Sequence, residues 1–311
     1  MISADETFGG TFPFTPHFST AAGFRMHYVD EGNGEPIVCL HGEPTWGYLY
    51  RNFIPPLAQR HRVIVPDHMG FGKSDTPADR EYSLRAHTEN LAALIAELDL
   101  RDITFVVQDW GGPIAGAYTV RYPERVRRLC LMNSILGYAN AATDLPKQDS
   151  RPKPPRLIDS SWFTYVKQGL EDGSYYEIME NLANHIGPLM GRLGLKNADA
   201  RPELWKQAYA AHFSTPGDCK GAVEFPLDVA LGRISPYVRE GFPGVAALRS
   251  KPAMLAEGMD DLAIPPELAI YDFKTLFPHG PVVTLDGVGH YCQEDAPETL
   301  IALIQMFIQM T

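Results

Sequence analysis

No run of about 18 consecutive apolar residues occurs in the 311-residue chain, so no membrane-spanning helix is expected. A basic cluster is missing as well. The chain has 38 acidic against 27 basic side chains and a net charge of −11, which argues against nucleic acid or an anionic membrane as a partner. Cysteine is scarce: Cys39, Cys130, Cys219 and Cys292 are far apart and show no CxxC spacing, so neither a disulfide framework nor a metal site is expected. The first twenty residues are polar and aromatic with no apolar core, so no secretory leader is expected, and with reduced thiols this points to the cytoplasm. Repeats and low-complexity segments are also absent, and no cofactor is expected.

Two blocks carry alternating strand and helix signals. Short β-branched or apolar runs at 26–29, 36–40, 62–65, 103–107 and 126–132 read as strands, and Gly32-Asn33-Gly34 as a hairpin-like turn. Residues 82–98 and 113–121 read as helices. Strand signals return at 252–257 and 282–285, before a final helix at 297–310. Such alternation predicts an α/β fold with a mostly parallel sheet flanked by helices. Strand signals are lacking from about 134 to 244. There, 144–155 reads as a proline-rich connector, and helical spacing covers 162–170, 175–186 and 203–212. The expected organisation is a core of 1–134 and 245–311 with a helical cap at 135–244, lying over the carboxyl ends of the strands where ligands bind in open α/β sheets.

Serine is missing from the one position where this architecture most often uses it. After the strand at 103–107, Gln108-Asp109-Trp110-Gly111-Gly112 forms the strand–sharp turn–helix of a nucleophile elbow, with aspartate at its centre. A carboxylate is a poor acyl-transfer nucleophile, but it displaces a leaving group at saturated carbon and forms an alkyl ester. Hydrolysis of that ester needs a base, ordinarily a histidine oriented by a carboxylate. His290 follows the strand at 282–285, and Asp261 follows the strand at 252–257, with Asp260 beside it as an alternative. Asn133 and Ser134, after the strand at 126–132, offer no carboxylate. A lone aspartate at a helix start is ordinarily a cap, and a lone histidine an ordinary core or surface residue. Their joint order of nucleophile, acid and histidine at strand ends favours catalysis.

His41-Gly42-Glu43-Pro44 ends another strand and is expected to supply one anion-binding backbone N–H, with Trp110 supplying the other. The Trp110 indole donates and cannot accept, which suits a halide leaving group. Glu43 reads as a charge directed near the nucleophile.

These motifs together resemble the haloalkane dehalogenases of the α/β-hydrolase superfamily, in the subfamily whose acid follows the later strand. The resemblance rests on residues 41–51, Pro66-Asp67 with 70–75, Gln108-Asp109-Trp110-Gly111-Gly112, 258–261, and Gly289-His290 with Gln293-Glu294. It implies Asp109 as nucleophile, His290 as base and Asp261 as its orienting acid, with Trp110 and Glu43 at the halide and water site. It also implies a small apolar halogenated substrate, water, and a halide product. A second tryptophan donor is usual on the first cap helix. The best register puts Val166 there, and Trp162, one turn earlier, is the candidate substitute. His212 stands where a proline is usual. An epoxide hydrolase using the same three residues is the alternative, with Tyr165, Tyr175 or Tyr176 as proton donors. A non-catalytic receptor on the same fold is a third. A monomer or weak dimer is expected.

Overall fold

A computed structural model describes residues 2–141 and 156–311; the connector expected at 144–155 lies outside them. Eight strands form one sheet: β1 (His17–Ser19), β2 (Met26–Glu31), β3 (Pro36–Leu40), β4 (Arg62–Pro66), β5 (Ile103–Gln108), β6 (Val126–Met132), β7 (Ala253–Gly258) and β8 (Val282–Leu285). Their order is β1-β2-β4-β3-β5-β6-β7-β8. The pairs β1–β2 and β2–β4 are antiparallel and the others parallel. Every residue of β5 is buried, as expected for a central parallel strand covered by helices on both faces.

The Gly32–Gly34 turn does not form a hairpin. Both glycines have positive φ, but β2 and β3 lie on opposite sides of β4. Pairing with β2 would have cost β3 one of its parallel neighbours, β4 and β5, which flank its apolar residues on both edges.

The chain leaves β3 for β4 on one side and returns to β5 on the other. This reversal opens a crevice at the carboxyl ends of β3 and β5, the usual ligand position in such sheets. The loops after β3, β5, β6, β7 and β8 all emerge on that side.

No strand lies between β6 and β7 among the described residues; the segment is helical. Helix Ser161–Asp172 starts at Ser160, whose hydroxyl accepts from Phe163 N–H at 3.3 Å, and stops at Gly173, in the left-handed conformation. The helix read at 175–186 is two helices, Ser174–Met179 and Leu182–Arg192. Asn181, at φ −123° and ψ 37°, breaks it, and its side-chain oxygen accepts locally from Asn184 at 2.7 Å. Two more helices, Lys220–Ala230 and Ile234–Glu240, carry weak signals because Pro226 and Pro236 read as breakers. Asp228 anchors the first to the core, accepting at 2.9 Å from Leu84 N–H at the start of helix Leu84–Glu97.

Candidate active site

The elbow after β5 turns at Asp109, whose φ is +50°. That conformation strains a residue with a Cβ, though Asp and Asn tolerate it best, and it lifts the side chain clear of the sheet end. The tight packing beneath requires glycine: a Cβ on Gly111 would lie 2.3 Å from Leu40 O, and one on Gly42 would lie 2.1 Å from Asp109 Oδ1. Ser134 Oγ braces the turn from the next strand, donating to Asp109 O at 2.6 Å.

The two oxygens of Asp109 have different surroundings. Glu43 N–H donates to Oδ1 at 2.8 Å, so the loop after β3 supplies the anion-binding amide expected of it. Oδ2 lies 3.5 Å from His290 Nε2. The other face of His290 is fixed by Asp261, with Nδ1 to Oδ2 at 2.8 Å. Asp261 is held in turn by three more donors: Ala263 N–H and Ile264 N–H on Oδ1, at 2.8 and 2.9 Å, and Asn133 Nδ2 on Oδ2 at 2.9 Å. Asp260 is half-exposed and pairs instead with Lys196, at 2.6 Å. Of the two neighbours, only Asp261 reaches the imidazole.

Four carboxyl groups surround His290, and burial separates them into two kinds. The pKa values of Glu43 and Glu257 are both raised well above the ordinary range, by burial first and then by Asp109 and Asp261 respectively. Both oxygens of Glu257 and Oε1 of Glu43 find no partner among the described residues. Burial and the neighbouring Asp109 thus both disfavour the charge on Glu43 that its residue type suggests. Charge on His290 comes from the remaining pair. Burial favours the neutral imidazole, but Asp261 and Asp109 outweigh it and push the pKa up to about 10.

A cavity of about 360 Å³ opens above Asp109. Asp109, Trp110, Glu43 and His290 line its floor, and its walls are mostly aliphatic. The indole of Trp110 stacks on Phe225, with centroids 4.4 Å apart and planes 14° apart, and its N–H donates to no protein atom among the described residues. Trp162 also lines the cavity, stacked on Tyr165, and its N–H is likewise unengaged. Val166, the other candidate position, is buried but is not part of the lining. His212 is buried and donates from Nδ1 to Gly72 O at 2.7 Å, away from the cavity.

Two residues gain a part that composition did not signal. Asn133 stood out only as a missing carboxylate. It bridges the sites, with Nδ2 on Asp261 and Oδ1 accepting from Gly258 N–H at 3.0 Å. The amide nitrogen of Gln108 lies 3.1 Å from His290 Nε2 and also donates to His290 O at 3.1 Å. Its place before Asp109 was visible, but nothing local revealed its partner. Among the described residues, no group of three or more His, Cys, Asp or Glu is placed to hold a metal, and no helix is long and apolar enough to cross a membrane.

Comparison with known proteins agrees with the architecture. Residues 35–297 match the family model for the alpha/beta hydrolase fold. The chain is 30% identical to haloalkane dehalogenase 2 of Mycobacterium tuberculosis, over 94% of each protein. It is 31% identical to a cis-3-alkyl-4-alkyloxetan-2-one decarboxylase of Shewanella oneidensis, over 96% of this chain and 90% of the relative. The crystal structure of haloalkane dehalogenase DbeA from Bradyrhizobium elkani superposes with a TM-score of 0.78 at 26% identity, covering 96% of this chain and all of that one. A carboxylate at the elbow, the shared fold and these relatives make the chain a hydrolase that belongs to the haloalkane dehalogenase family of the α/β-hydrolase superfamily.

Proposed function

We propose that the protein hydrolyses haloalkanes through an alkyl ester on Asp109, under a helical cap formed by 135–244. One observation carries the reading: a carboxylate, an imidazole and two tryptophans, whose indole N–H groups have no partner among the described residues, line a single largely apolar cavity. Asp109 Oδ2 attacks the halogen-bearing carbon, and the carbon–halogen electron pair leaves as halide toward the indoles of Trp110 and Trp162. Halide accepts hydrogen bonds and needs no proton, so donors without acceptor capacity suit it.

Alkylation removes the charge of Asp109. His290 then feels Asp261 alone, and burial returns it toward the neutral base, releasing one proton to solvent with the halide. Neutral Nε2 takes a proton from water as the water oxygen bonds to the ester carbonyl carbon. The Oδ1 oxyanion accepts from Glu43 N–H. Collapse breaks the bond to the alkoxide, which leaves as alcohol with one of the two water protons; the other restores the imidazolium.

An epoxide hydrolase reading would have a cap tyrosine protonate the opening oxygen. Tyr175 donates its hydroxyl to Val223 O at 2.6 Å, Tyr176 is exposed, Tyr165 packs beside Trp162, and none of the three lines the cavity. The Shewanella relative is a reason to test a cis-3,4-dialkyl-oxetan-2-one as a second class. A panel of bromoalkanes, an epoxide and such a lactone, read by bromide, diol and carbon dioxide release, decides among them. Bromide release alone is the expected outcome; diol or carbon dioxide without bromide would replace the proposal.

Asp261→Asn is expected to lower turnover on the order of 10³- to 10⁴-fold, because the imidazole loses its orienting charge. Asp260→Asn should stay within a few-fold of wild type, since a half-exposed pair with Lys196 is worth only about 0–1 kcal/mol. Steady-state bromide release in both variants checks this, and the reverse ranking would reject Asp261.

Trp162→Phe keeps an apolar ring and deletes one donor. A hydrogen bond to an ion is worth about 1.5–3 kcal/mol, so halide affinity should fall about 10- to 100-fold. The rate on chlorides should drop more than on bromides, which leave more easily. Halide quenching of tryptophan fluorescence gives the affinity; unchanged quenching and an unchanged chloride-to-bromide ratio would reject Trp162.

A further inference from the structure

The cavity has a second polar end. Helix Ile234–Glu240 and the turn after it present Ile234, Ser235, Val238, Arg239 and Phe242 to the lining. Their spacing of one, four, five and eight residues from Ile234 is that of one helical face. Three of the five are apolar wall. Arg239 is exposed, so it stands where the cavity meets solvent.

Neighbouring arginines are all engaged. Arg233 pairs with Asp228 and Glu224, Arg85 with Glu240, and Arg121 lies over the Tyr237 ring. Arg239 has no ion pair, hydrogen bond or ring partner among the described residues. Apart from His290 on the floor, it is also the one cationic side chain in the lining among the described residues. Helix C-termini favour a basic residue on the macrodipole alone, but that preference does not require the side chain to face the cavity.

Resting on the dehalogenase reading, we propose that the preferred substrates are ω-haloalkanoates: the halogen-bearing carbon meets Asp109, the methylene chain lies along the aliphatic walls, and Arg239 binds the carboxylate at the mouth. A guanidinium pairs a carboxylate through two parallel hydrogen bonds, and the apolar wall behind it lowers the local dielectric. It also gives an anionic substrate an attractive approach to a protein whose net charge of −11 repels it.

The test compares 6-bromohexanoate and 8-bromooctanoate with their methyl esters in wild type, Arg239→Gln and Arg239→Glu. The acid-to-ester ratio of kcat/KM is expected to favour the acid about tenfold at low salt in wild type, and to shrink as salt rises. It should fall about fivefold in Arg239→Gln and invert in Arg239→Glu, with the change in KM rather than kcat, as for binding felt equally in ground and transition states. Equal ratios in all three proteins would overturn the assignment while leaving dehalogenation intact. Binding of octanoate, read by quenching of the cavity tryptophans, needs no turnover. Quenching that Arg239→Glu abolishes, in a protein that releases no bromide from any compound, would overturn the dehalogenase reading and keep Arg239 as the anion-binding residue. Quenching equal in wild type and Arg239→Glu would overturn that role too.

Discussion

Alanine at position 109 is expected to lower bromide release at least about 10⁵-fold and leave the fold intact. The covalent step has no second nucleophile: the other carboxyl groups near the cavity floor are either pushed strongly toward the protonated form, as are Glu43 and Glu257, or buried under four hydrogen bonds, as is Asp261. Losses near 10⁶-fold are known for deleting a hydrolase nucleophile, and here no water-activating bypass is arranged at saturated carbon. Stability should fall only modestly, from two small losses. Alanine gives up the hydrogen bond from Glu43 N–H and fits the positive φ less well, each costing about 1 kcal/mol. A thermal melt within a few degrees of wild type, with no detectable bromide, is the expected pair of results. Retained turnover would move the chemistry to another residue.

How far the sequence can be read depends on the range of the interactions involved. The elbow is local: a β-branched run, one residue at positive φ and two glycines, all within ten residues. Its strand and the final helix, Pro297–Met310, are legible for the same reason. The hairpin suggested by Gly32-Asn33-Gly34 fails because turn chemistry does not say which strand lies next door; the parallel neighbours of β3 decide that. Asn133 contacts Asp261 across 128 residues of chain, and no pattern in either segment announces it. Nor does residue type reveal that the pKa of Glu43 is raised, which follows from the folded loop burying it beside Asp109. The engagement of Tyr175 with Val223 O likewise depends on how two cap helices meet.

In His290→Gln and His290→Phe, attack is expected to proceed and hydrolysis to stop, so that the protein accumulates as an alkyl ester. The first step needs only the carboxylate, the donors for halide and a dry cavity, none of which is the imidazole. Two effects of removing it oppose each other. Asp109 loses a cation 3.5 Å away, which frees its electron pair for attack. Asp261 loses a partner but keeps Asn133 and two backbone amides, so its buried charge remains hydrogen-bonded. Glutamine is the gentler change because it can still donate to Asp261. The stability cost depends on pH in a fixed direction. A histidine whose folded pKa is raised from 6.5 to about 10 contributes fully below about pH 6.5 and progressively less as pH climbs toward 10. The stability gap between wild type and His290→Gln should therefore narrow over that window when measured by urea unfolding. Chemistry is read by incubation with 1,2-dibromoethane and mass spectrometry: one added bromoethyl group per chain, on the peptide holding Asp109, with a burst of about one bromide per protein and steady turnover at least about 10³-fold below wild type. Burst bromide with no adduct would mean that water, not Asp109, attacks carbon, and the two-step mechanism would fall. No burst at all would assign His290 to the first step.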